Sequence, residues 1–134
     1  MRRVKVLMDT NFLLLPFNEG VNIISELDRV LEVSYELLVP SFCIEELRRL
    51  STRGAKYQRM YSLAMQIIDR HCRIIEEELK PDEKVDDALI RLAKKLGAVV
   101  ATGDAELRRK LRLEGVPIIY LRCGKKLEVE GLTV

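Results

Sequence analysis

Five short apolar runs, Val4 to Met8, Leu37 to Val39, Arg73 to Ile75, Ala98 to Thr102 and Pro117 to Leu121, are separated by longer stretches whose apolar residues recur at helical spacing. Strands joined through helices cannot be hairpins. They need a parallel sheet with right-handed crossovers and helices covering both faces. A turn through Pro16 and Gly20 leads into an amphipathic helix with Val21, Ile24, Leu27, Val30 and Leu31 on one side. Ser41 is an N-cap candidate for a helix carrying Ile44, Leu47 and Leu50, and another helix runs from about Ala55 to Arg70. A helix from Asp82 lines up Val85, Leu89, Leu92, Ala93 and Leu96 and stops at Gly97, and a last one spans Asp104 to Leu113. No linker or repeat interrupts the series, so residues 1–134 are expected to form one α/β domain. Its expected architecture is three-layer α/β/α, with a central parallel sheet of four to five strands.

Folding a chain of this size removes about 68% of its unfolded surface, enough for a substantial core. Hydrophobic residues make up 48% of the chain. Their runs are nonetheless far shorter than the roughly 20 residues a bilayer span needs, so no membrane segment is expected. Arg2, Arg3 and Lys5 run straight into a strand and an acid without a signal-like apolar region, which points to the cytoplasm. Cys43, Cys72 and Cys123 form no Cys-x-x-Cys pair and read as reduced thiols. The lone His71 offers no partner for a zinc centre.

The acids are placed more tellingly than the cysteines. Asp9 and Asp104 each follow an apolar run, at the carboxyl end of a strand, where open α/β sheets put their sites. Glu46 lies in the helix after the second strand, and Asp86, with Asp87 beside it, in the helix that opens at Pro81-Asp82-Glu83. Carboxylates gathered on one rim raise each other's pKa, and a divalent cation relieves that repulsion. Oxygen donors without sulfur or imidazole suit Mg²⁺ or Mn²⁺. At about 100° per residue Asp86 borders the Leu89 and Ala93 face while Asp87 points away, so Asp86 is the preferred ligand and Asp87 a helix-start acid or outer partner. Glu106 is a candidate for a second ion, and equally an acid favoured in a helix's first turn. Asn11 and Thr102 could hold the carboxylates by hydrogen bonds, or satisfy local backbone groups instead. Gly103 is read as clearing space where the backbone bends from strand to helix.

A net charge of +2 predicts no polyanion partner by itself, but the distribution of cations does. Arg48, Arg49, Arg53, Lys56 and Arg59 follow Glu46, Arg108, Arg109, Lys110 and Arg112 follow Asp104, and Arg122, Lys125 and Lys126 come last. A basic rim around an acidic centre suits a phosphodiester substrate, with Arg48, Arg49, Arg53, Arg108, Arg109 and Arg112 as the phosphate contacts. The plainer alternative is a set of solvated helix faces. With aromatics at 5%, no base-stacking platform is evident, so any nucleic acid would be gripped by backbone charge and shape.

Four stretches in order resemble the PIN-domain family of metal-dependent ribonucleases: Met8-Asp9-Thr10-Asn11, Val39 through Leu47, Asp86 through Ala93 with Leu96-Gly97, and Val100 through Arg109 running on to Tyr120. The last of these is similar to the branch related to the rRNA-processing nuclease Fcf1. The resemblance implies Asp9, Glu46, Asp86 and Asp104 as catalytic metal ligands, favours Glu46 over the neighbouring Glu45, and fits Asp86 by its spacing. It implies hydrolysis of RNA phosphodiester bonds with Mg²⁺ or Mn²⁺. The enzyme would serve either in rRNA processing within a ribosome-assembly complex or as a VapC-type toxin held by an antitoxin. It also implies a homodimer, for which the apolar tail from Leu127 to Val134 supplies surface unless it folds back as a hairpin. The alternatives are a PIN fold kept as a non-catalytic RNA-binding or scaffold module, and a receiver-type phosphoacceptor. No Lys ends the Pro117 to Leu121 run, and no double acid stands near the first strand, which count against the receiver.

Overall fold

A computed structural model describes residues 3–123 and 125–132. The chain runs β1 (Val4–Met8), α1 (Thr10–Leu13), α2 (Leu15–Glu19), α3 (Ile23–Val30), β2 (Tyr35–Pro40), α4 (Ser41–Ser51), α5 (Ala55–His71) and β3 (Cys72–Ile75). It continues with α6 (Val85–Leu96), β4 (Val99–Thr102), α7 (Ala105–Leu113), β5 (Ile118–Arg122) and β6 (Lys126–Glu130). Arg2, Thr133 and Val134 lie outside the described residues.

One sheet of order β3-β2-β1-β4-β5-β6 carries all the strands, and every pairing is parallel except β5 with β6. The chain winds outward from β1 to β3, then returns to the middle and winds the other way through β4 and β5. Right-handed crossovers therefore put the helices before β3 on one face and α6 and α7 on the other. Two ion pairs, Lys94–Glu114 and Lys110–Asp86, bridge α6 and α7. The central strands pay for this covering in composition: Val6, Leu7 and Met8, and Val99 through Thr102, are all buried, as a sheet covered on both faces requires. The direction of winding reverses between β1 and β4, so the crevice of the fold opens where Asp9 and Asp104 leave the sheet.

Six strands form where four or five were expected. The sixth is the tail, folded back antiparallel on β5 with Leu127 buried. Side chains of α3 stitch it down: the Leu127 amide donates to Glu26 Oε1 at 2.9 Å, and Arg29 donates to the Leu127 carbonyl at 2.8 Å. The apolar surface of Leu127, Val129 and Leu132 is thus used within the chain and no longer argues for a homodimer. On α3 the buried positions are Ile23 and Leu27, with Ile24 only partly covered. Ser41 begins α4 without capping it, and its hydroxyl instead clasps the Glu77 backbone, donating to the carbonyl and accepting from the amide. Helix α6 starts at Val85, after a turn in which Asp82 takes a left-handed φ of 62°. Among the described residues no helix is long and apolar enough to cross a membrane.

Candidate active site

Asp9 ends β1 and caps α1. Its amide still donates to the Ala101 carbonyl across the sheet, and its Oδ1 accepts the Phe12 amide at 2.7 Å. Its other oxygen, Oδ2, accepts the Thr102 hydroxyl, whose oxygen in turn accepts the Asp104 amide at 3.0 Å. Thr102 therefore couples the two strand-end acids through one side chain. Asp9 is only 4% exposed, and burial pushes its carboxyl from 3.8 up to about 7. The negative charges of Asp104 and Glu46 push the same way, against the Thr102 and Phe12 hydrogen bonds.

Asp104 caps α7 with a single oxygen, Oδ1, which accepts the amides of Glu106 at 2.8 Å and Leu107 at 3.2 Å. Both strand-end acids are thus helix caps. Capping does not exhaust either one, because a carboxylate has about four lone-pair directions. Glu46 is half-buried on α4, while its neighbour Glu45 is exposed and pairs with Arg48. Asp86 is half-buried and Asp87 exposed, the register read from the sequence. Asp86 is held by Lys110 Nζ of α7 at 3.4 Å.

Asp104 and Glu46 therefore act electrostatically on Asp9, whereas Asp86 is occupied by a lysine. Among the described residues no three His, Cys, Asp or Glu side chains lie close enough to enclose an ion, so the expected closed shell of four carboxylates is not formed. The donor set still fits a hard cation of the Mg²⁺ kind, which is commonly bound through one or two carboxylates and otherwise keeps its waters. An acid raised by its burial, with the charges of two further acids adding to the rise, is the observation that fits a cation there.

The supporting residues divide. Thr102 bonds Asp9 as expected, but Asn11 is exposed and has no side-chain bond to Asp9 among the described residues. The Phe12 amide does that work instead. Glu106 is exposed and lies 3.6 Å from Arg109, turned towards solvent. Gly103 is not required by space: a Cβ there would meet Leu15 and Asn11 at 3.5 and 3.6 Å, ordinary contact distances.

The arginines do not form a single ring around the acids. Arg112 is bound to Glu130 through Nε at 2.7 Å and a second guanidinium nitrogen at 2.9 Å, and Arg48 is tied to Glu45. Arg108 lies over the Tyr120 ring, 4.5 Å from its centre, beside the rim where Tyr120 pairs with Thr102. Arg49 and Arg53 are exposed. Sequence reading missed the Lys110–Asp86 pair. It also missed the clasp in which Arg91 bonds Glu83 and Glu77, steadying the segment that leads into α6. Neither carried a sequence signal, since each partner is set by how α6 packs on its surroundings.

The model of the PIN like domain family matches residues 6–124. The chain belongs to that family. Ribonuclease VapC4 of Methanocaldococcus jannaschii is 28% identical to this PIN-like domain over 131 residues, covering 96% of this chain and 98% of the relative. Ribonuclease VapC9 of Archaeoglobus fulgidus is 31% identical over 126 residues, with 93% and 88% covered. The solved structure of the PIN domain endonuclease Utp24 superposes with a TM-score of 0.77 at 22% identity, covering 96% of this chain and 92% of that one. VapBC-1 from nontypeable Haemophilus influenzae superposes at 0.58 and 15% identity, covering 81% and 93%. Both structures confirm the fold, with its mostly parallel sheet between two helical layers.

Proposed function

We propose that this PIN-like domain is a metal-dependent endoribonuclease of the VapC type, working at the rim formed by Asp9, Glu46, Asp104 and Asp86. One observation carries the reading: Asp9, at the switch point of the sheet, is a nearly fully buried carboxyl tied through Thr102 to Asp104, and it is raised chiefly by burial and further by the charges of Asp104 and Glu46. A buried carboxyl with further acids at its rim makes poor structure and a good cation seat. The relatives named as ribonucleases span nearly the whole chain, which supports a VapC-type role over rRNA processing.

Asp9 and Asp104, coupled through Thr102, would hold Mg²⁺ or Mn²⁺, with Glu46, and Asp86 once released from Lys110, reaching it through the ion's waters. The ion, when bound, supplies a water of lowered pKa and neutralises charge on the phosphoryl oxygens. The protein's share is orientation. Thr102 fixes Oδ2 of Asp9, and the Phe12 amide fixes Oδ1, so that carboxylate enters the reaction in one rotamer. Asp104 keeps its second oxygen directed away from its own helix. Lys110 and Arg108 stand on α7 beside these acids, where they can meet phosphate. RNA is the substrate, and a small antitoxin is the protein partner that would cover the rim.

The test is incubation of a labelled structured RNA with the protein in Mn²⁺, in Mg²⁺ and in EDTA. Internal cleavage in the metal-containing samples alone is expected. Binding without cleavage in any of them would favour a PIN fold kept as a non-catalytic RNA-binding module.

A further inference from the structure

The α4–α5 hairpin stands taller than the sheet it flanks. Helix α4 leaves the carboxyl rim directly after Pro40, and α5 must end at His71, because β3 begins at Cys72 opposite Leu37. The 17 residues of α5 are about 25 Å long at 1.5 Å per residue. From Leu37 to Pro40 the sheet rises only about 10 Å. The first turn of α5, and the bend joining it to α4, therefore project past the strand ends on which the carboxylates sit.

Three cations crown that projection, Arg53 in the bend and Lys56 and Arg59 in the first turns of α5, while Arg49 on α4 lines a cavity with Glu45, Glu76, Glu77 and Glu78; all four are exposed. Among the described residues none of the four forms an ion pair. Many of the cations elsewhere are matched, Arg112 with Glu130, Arg122 with Glu128, Arg91 with Glu83 and Lys110 with Asp86, and the unmatched ones among the described residues, such as Lys5, Arg70, Lys80 and Lys84, are spread along the chain. The chain has 21 acids for 23 Lys and Arg, so charge is nearly balanced overall, and what sets the hairpin apart is three unpaired cations within seven residues, Arg53 to Arg59. No acid stands in the first turn of α5, where one would usually be favoured, and Lys56 and Arg59 share a helix face at i,i+3. Like charges gathered without partners repel, and a polyanion is what relieves them.

We propose that this hairpin is an arm that grips the phosphodiester backbone of a folded RNA beside the carboxylate rim, with Arg53, Lys56 and Arg59 as its phosphate contacts. The proposal rests on the ribonuclease reading and narrows it. It moves the main grip from the α7 arginines, partly committed to Glu106 and Glu130, to the free cations of the hairpin, and adds Lys56 and Arg59. Because the contacts are charges, the grip reads chiefly the shape and spacing of phosphates, and any base preference would come from Gln58, exposed between Lys56 and Arg59.

The experiment is fluorescence anisotropy of a labelled RNA stem-loop, in EDTA so that nothing is cut, across a series of KCl concentrations. The variant Arg53→Gln/Lys56→Gln/Arg59→Gln is compared with Arg73→Gln/Lys94→Gln/Lys95→Gln, which removes the same charge from β3 and the last turn of α6. The hairpin variant should bind at least about tenfold more weakly, and its plot of log affinity against log salt should be shallower by about 2. The control variant should keep the wild-type slope. An unchanged slope in the hairpin variant, or an equal loss in the control, overturns the proposal. So does a hairpin variant that keeps RNA affinity but loses binding to polyglutamate, which would make the arm a seat for an acidic protein. Failure of the ribonuclease reading shows separately, as wild-type protein that leaves the RNA uncut in Mn²⁺ and Mg²⁺ whatever the hairpin does.

Discussion

Replacing Asp9 by Asn should make the protein more stable at mildly alkaline pH. Burial and two neighbouring acids lift this carboxyl from 3.8 to about 7. That displacement corresponds to about 4 kcal/mol, at about 1.4 kcal/mol per pH unit. The native state holds this proton more tightly than the unfolded chain. The stability tied to the group is therefore complete below about pH 4, and is lost as pH rises through about 7. Asn removes the charge and still accepts the Phe12 amide. Its NH₂ faces the Thr102 hydroxyl, however, which must turn away from a bond it now makes, at a cost of about 1 to 2 kcal/mol. The net gain at about pH 8 is then about 2 to 3 kcal/mol, or roughly 8 to 10 °C in Tm for a domain of this size. Circular-dichroism melts of Asp9→Asn and wild type in EDTA, near pH 4 and near pH 8, read this directly. At the acid end the gain should give way to a loss of about 1 to 2 kcal/mol, the cost of the Thr102 mismatch alone. A Tm difference equal at both pH values, or a variant less stable at alkaline pH, would refute the reasoning.

On α6, Asp86→Asn should lower the rate of RNA cleavage by about tenfold or more, and Asp87→Asn by less than about twofold, measured in parallel with Mn²⁺. The reverse order would move the ligand to Asp87. Thr102→Val removes both the donor to Asp9 and the acceptor of the Asp104 amide, so the acid limb of the pH–rate profile should shift to higher pH along with a fall in rate. A profile that keeps its midpoint while the rate falls would leave Thr102 with a purely packing role.

The strand-end acids were legible because their placement is local. A run of buried residues followed by Asp marks the end of a strand wherever the strand lies in the sheet, and Asp9 and Asp104 obeyed that rule. Asp86 over Asp87 was legible for the same reason, as a matter of helical phase. What the sequence hid depended on contacts between distant elements. The tail became β6 because Glu26 and Arg29 of α3 receive the backbone of Leu127, about a hundred residues away. Lys110 looked like one more cation of a basic cluster until α7 was packed beside α6, where it meets Asp86. Arg112 likewise read as a phosphate contact and is taken up by Glu130 on that same returning strand. Asn11 failed for a subtler reason: at the start of a helix the backbone amide of Phe12 reaches the capping carboxylate first, and turns the amide side chain outward.

The central claim is that the rim of Asp9 and Asp104 hydrolyses RNA with the help of a divalent ion. Single-turnover cleavage of a labelled structured RNA in Mn²⁺, by wild type, Asp9→Asn and Asp104→Asn, tests it most directly, with melting curves confirming that all three are folded. Internal cleavage by the wild type, abolished in both variants and by EDTA, is the expected result. Cleavage that persists in both folded variants, or that survives EDTA, would contradict it.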